Sequence, residues 1–200
     1  VALRGRATLS RMAKRSQAKR IAVLVNEGEA AAFLALEKRT EQVREKSGLR
    51  LVMELLPPAG VQAPGGDMRP GLVLFAEDGA GGGLAWDLRR PSDAPPVVYC
   101  DHELRTATPF ARDVRGAFQH VLVMQLVGEK GDAFLELAGR VRASFELVPE
   151  VAAVFERLEK KARKSPRVAP LRNEEAAHEA VAFLVPEAAR GGLAWIPVTH

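Results

Sequence analysis

The chain has 200 residues, 47% of them hydrophobic and 27% charged. That suits one domain, or one domain with an appendage, and is too mixed for a disordered polyelectrolyte. The lone cysteine, Cys100, excludes an internal disulfide framework and a cysteine-rich zinc site, and no apolar run approaches the roughly 20 residues of a membrane span.

The net charge of +4 is unevenly placed. Residues 1–20 hold Arg4, Arg6, Arg11, Lys14, Arg15, Lys19 and Arg20 and no acid, so the rest of the chain is slightly acidic. This tail is expected to be disordered. Met12-Ala-Lys-Arg-Ser reads as a plausible bacterial start, so translation from Val1 or from Met12 stays open. No long apolar core precedes a small-residue cleavage site, so a secretory signal is not expected and the cytoplasm is the default location.

Residues 16–46 read as helical, with a new helix beginning where Asn26 and Glu29 resemble a capping box. Gly48 is a natural stop. In Leu49–Leu56 the odd positions Leu49, Leu51, Met53 and Leu55 are apolar, which predicts a half-buried strand. Pro57–Pro70 is a Pro/Gly loop. Gly71–Ala76 and Leu84–Leu88 then read as two arms of a hairpin around Glu77–Gly83, and Val97–Cys100 as a third strand. Short links favour an antiparallel meander. Thr108-Pro109 reads as the start of a helix through about Leu126. Further helices are predicted from Asp132, from Pro149 into the basic run Lys160–Lys164, and from Asn173, with Pro186 ending or kinking the last. Leu193–Val198 is a candidate late strand.

The glycine-rich turn at Asp78–Gly83 joins strand to strand, which is the wrong context for a phosphate loop. Asp101, His102 and Glu103, with His120, are the metal candidates. Only Asp101 and Glu103 share a strand face, so neither a metal nor a cofactor is expected. Cys100 lies beside acids, which disfavours a thiolate. No nucleophile motif occurs, and no enzyme is expected. The basic tail and Lys160–Lys164 are the nucleic-acid candidates. Neither is interleaved with aromatics, and the helical run is expected to be a solvated helix end.

Two blocks resemble the SUKH superfamily of bacterial immunity proteins and cell-wall-assembly regulators. Leu72–Gly79 followed by Gly81–Leu88 is similar to its apolar strand, acidic-glycine turn and return strand. Val97–Glu103 followed by Ala107–Ala111 is similar to its next strand and Asp-His-Glu segment, and leads into a helix. The resemblance implies an α+β fold and a non-enzymatic, protein-binding role, commonly toxin neutralisation. The expected organisation is a basic tail (1–20), a SUKH-like domain (21–127) with an antiparallel sheet of three or more strands flanked by helices, and a mainly helical extension (128–200). The expected partner is a protein, in the immunity version a basic toxin domain, met by Glu77, Asp78, Trp86, Asp101, His102 and Glu103. The alternative is a nucleic-acid-associated regulator using the tail.

Overall fold

The computed structural model describes residues 16, 19–61, 71–89, 94–101 and 106–185. Residues 19–24 are helical and lead to Asn26, whose side chain accepts a hydrogen bond from the Glu29 N–H at 2.8 Å and opens α1 (Glu27–Ser47). Gly48, at φ 67°, ends α1 in the left-handed conformation that glycine adopts without penalty.

The sheet contains β1 (Glu54–Leu55), β2 (Leu72–Glu77), β3 (Gly83–Asp87), β4 (Val97–Asp101) and β5 (Thr106–Ala111), in that spatial order and antiparallel throughout. With the helices that follow, the fold class is α+β. Of the expected strand at 49–56, only Glu54–Leu55 joins the ladder. Leu49, Leu51 and Met53 are buried as their alternation requires, but the Val52 N–H donates to Gln125 Oε1 at 2.8 Å.

Both faces of the sheet are apolar. Val73, Phe75, Leu84, Trp86 and Val97 face the main core, while Leu72, Leu74, Ala85, Val98 and Ala107 form a second cluster. Bulges between Leu74 and Ala76, and between Val97 and Val98, interrupt the strict alternation. Thus the consecutive pairs Phe75–Ala76 and Phe110–Ala111 both reach the main core.

Thr108 and Pro109 do not open a helix. They lie in β5, opposite Tyr99 and Val98. An edge strand tolerates the missing N–H of proline. The helix α2 (Val114–Met124) starts later, with Asp113 as its cap accepting from the Gly116 N–H at 2.6 Å. Most of α2 is buried, and α1, β5, α4 (Pro149–Lys164) and α5 (Glu174–Ala180) all touch it. Helix α3 (Gly131–Ser144) packs on α4. Asp132 lies in the first turn of α3 rather than at its cap, which is Lys130, while Pro149 and Asn173 open α4 and α5 as expected.

The main core includes Phe33 and Val73 together with Phe134, Phe155 and Leu171. Two arginines tie α1 to α3. Arg39 donates to the Ser144 carbonyl at 2.6 and 2.9 Å, and Arg140 to the Ser47 carbonyl at 3.1 Å, so each helix supplies a cation to the other's C-terminus. The expectations for Pro186 and Leu193–Val198 fall outside the described residues.

Candidate functional site at the acidic end of the sheet

The register places one end of every strand pair together. Glu54 lies opposite Glu77, Glu77 opposite Gly83, Gly83 opposite Cys100, and Asp101 opposite Thr106. Glu54, Glu77, Asp78 and Asp101 therefore gather at one end. Glu54 and Glu77 are exposed, and Asp78 and Asp101 are half-buried. Like charges directly opposite across a ladder repel. Arg44 stands near Glu54 and offsets part of that repulsion.

Asp78 is locked in place. Its Oδ1 accepts the N–H groups of Ala80 at 2.8 Å and Gly82 at 3.0 Å, and its Oδ2 accepts the Tyr99 hydroxyl at 2.6 Å. The turn passes through Gly79 and Gly81 at positive φ. A Cβ on Gly82 would run into the Tyr99 hydroxyl and the Asp78 carboxylate. Burial pushes the Asp78 carboxyl up, but the bonds from Tyr99, Ala80 and Gly82 outweigh it and hold it below its ordinary value. Burial raises the Tyr99 phenol, and its bond to Asp78 and the charges of Asp78, Asp101 and Glu174 raise it further.

Trp86 is not part of this surface. It is fully buried, tilts against Phe75 with ring centroids 4.2 Å apart, and meets Phe33 edge-on at 5.5 Å. Its indole N–H donates to Glu29 Oε2 at 3.0 Å. Strand β3 is buried on both sides, so alternation could not mark an outward residue. Glu77, Asp78 and Asp101 are brought together. His102 and Glu103 lie outside the described residues.

Two polar features were not foreseen. Glu29 Oε2 also accepts the Val114 N–H at 3.0 Å, so one buried oxygen joins α1, β3 and the start of α2. Burial raises the Glu29 carboxyl, and the bonds from Val114 and Trp86 oppose this. The only local signal was the cap at Asn26, which uses the Glu29 backbone rather than its carboxylate.

The second feature is a histidine pair. His120 stacks on Phe110 at 4.0 Å, and its Nδ1 lies 3.1 Å from the Phe110 carbonyl. That carbonyl can only accept, so Nδ1 carries the proton and Nε2 accepts from His178 Nδ1 at 2.8 Å. Burial and the neighbouring His178 push His120 down to about 3. Burial also lowers His178, with Glu174 opposing. His120 is thus committed within the core. No cluster of three metal-ligating side chains occurs among the described residues, and no helix among them is long and apolar enough to cross a membrane.

No protein-family model, curated protein or solved structure matches the chain.

Proposed function

We propose that this chain is a cytoplasmic, non-enzymatic binding protein of SUKH type that occludes a basic protein partner, in the immunity version a bacterial toxin domain. One observation carries the reading: four carboxylates, Glu54, Glu77, Asp78 and Asp101, collect at one end of the sheet around a fixed turn. Complementary charge accelerates encounter and excludes wrong partners. A turn already held by Tyr99 and Asp78 loses little freedom when a partner docks. The two blocks that carry the SUKH resemblance supply β2, β3 and β4 and this turn.

The test is co-expression with a toxin-like protein from the genes neighbouring this chain's own, if one is encoded there. The expected result is rescue of growth together with a complex that weakens as salt rises. Glu77→Gln with Asp101→Asn should slow association at low salt and flatten the salt dependence. Absence of both rescue and binding removes the immunity reading. Rescue with unchanged binding by the double variant moves the surface elsewhere.

A further inference from the structure

Between Arg157 and Arg172 the chain has seven cationic side chains and one carboxylate, Glu159. All seven cations are exposed. Glu159 is already engaged, by Arg142 of α3 at 3.1 Å and by Arg163 at 3.6 Å. Lys161 donates to the Pro170 carbonyl at 3.0 Å. Among the described residues, Arg157, Lys160, Lys164, Arg167 and Arg172 have neither an ion pair nor a side-chain hydrogen bond.

Their spacing is not random. Arg157, Lys160, Lys161 and Lys164 follow the i, i+3, i+4, i+7 pattern that places side chains on one side of a helix. Val151, Val154, Phe155, Leu158 and Ala162 take the buried side. Cations at a helix C-terminus complement the dipole, but that effect fades beyond the last turn. It covers Lys161 to Lys164; Lys160 has the exposed Glu156 four residues before it, while Arg157 has no acid three or four residues away on the helix. Two like-charge pairs at i,i+4, Arg157 with Lys161 and Lys160 with Lys164, also work against the helix.

We propose that this stripe, continued by Arg167 and Arg172, is a docking surface for the phosphate backbone of duplex nucleic acid. Its four helical positions span about 10 Å at the α-helical rise. Each strand of a duplex carries one phosphate per roughly 3.4 Å of its axis, so a row of about 10 Å spans about three phosphates of one strand. The one aromatic of α4, Phe155, is buried, so nothing on the stripe can stack on single-stranded bases. The apolar side of α4 is already in the core, which leaves it nothing to insert into a membrane. The contacts are to backbone, so binding is indifferent to sequence.

The experiment is fluorescence anisotropy of a labelled, mixed-sequence DNA duplex titrated with the full chain at several salt concentrations. Wild type should bind at low salt. Arg157→Gln with Lys160→Gln should weaken binding about tenfold or more at low salt and flatten the log–log salt slope by about 2, as expected for two lost phosphate contacts. Arg163→Gln, on the flank already engaged with Glu159, should change it less. Glutamine keeps helix propensity, and an unchanged circular dichroism spectrum guards against misfolding. A full-length variant with the seven basic residues of 1–20 changed to Gln separates the tail from the stripe. The proposal is overturned if wild type does not bind duplex, if the stripe variant binds like wild type, or if only the tail variant loses binding. Preference for phosphatidylserine vesicles over duplex overturns it as well.

Discussion

Asp78 at the acidic end of the sheet and the cations on the basic side of α4 hold their charge in opposite ways. Asp78 is fixed by three hydrogen bonds, one of them from Tyr99. Arg157, Lys160 and Lys164 extend from a helix with no partner among the described residues. A fixed charge contributes to the fold, so its presence is explained before any ligand is invoked. A loose charge contributes almost nothing to the fold, and a row of them opposes it. Charge alone therefore ranks neither region. What separates them is how much of each charge the fold already uses.

The fixed side rests on the sheet, so the largest effect should come from removing the support beneath it. Trp86→Ala is expected to lower the unfolding free energy by about 3–5 kcal/mol, read from urea titration. A loss under about 1 kcal/mol would contradict its place in the core.

Asp78→Ala should lower stability by about 1–3 kcal/mol, because the Tyr99 hydroxyl and two turn N–H groups lose their acceptor. Since Asp78 is held below its ordinary value of 3.8, its contribution is full above that pH and is lost as pH falls through the lower folded value. The variant should thus be less sensitive to strong acid than wild type.

Helix α5 brings the histidine pair into the same fixed group. His120 lies at about 3 when folded against 6.5 ordinarily, so its contribution is complete above pH 6.5 and declines as pH falls toward 3. His120→Gln should reduce the slope of stability against pH in that window by up to about 1.4 kcal/mol per pH unit. Denaturant titrations at several pH values measure it. An unchanged slope would mean that the pair does not titrate as a buried unit.

The smallest effect is expected on the loose side. Arg157→Gln with Lys160→Gln should change stability by less than about 0.5 kcal/mol in either direction, since the like-charge pairs and the Glu156–Lys160 pair are removed together. A loss above about 1 kcal/mol would show that these cations are anchored after all, and the contrast between the two regions would collapse.

Where local chemistry decides an element, the sequence was easy to read. Asn26 and Asn173 cap helices through their own side chains, Gly48 closes α1, and Pro149 opens α4. The hairpin and the next strand followed from apolar runs interrupted by glycine. Legibility failed where a partner far along the chain decides. Pro109 suits a helix start and an edge strand equally, and pairing with β4 selects the strand. Trp86 lies in a strand with apolar neighbours on both faces, so alternation carries no information about its direction. His120 and His178 are 58 residues apart, and no local pattern joins them. At the candidate site, Glu77, Asp78 and Asp101 were legible as a group, while Tyr99 was visible only as a strand residue and not as the donor that fixes Asp78.

The oxygen shared by Trp86 and Val114 has a consequence for the order in which the chain can fold. Neighbouring strands in the sheet are also neighbours in sequence, so the meander can zip through short closures. Glu29 instead waits for residues 57 and 85 positions further on. As the chain leaves the ribosome, α1 emerges before the sheet and α2. Phe33 then meets no ring until Phe75 and Trp86 follow, and Glu29 lacks its second donor until Val114 is made. Helix α1 is therefore made before the residues that lock it in place, and its apolar side needs cover in the nascent chain until they follow.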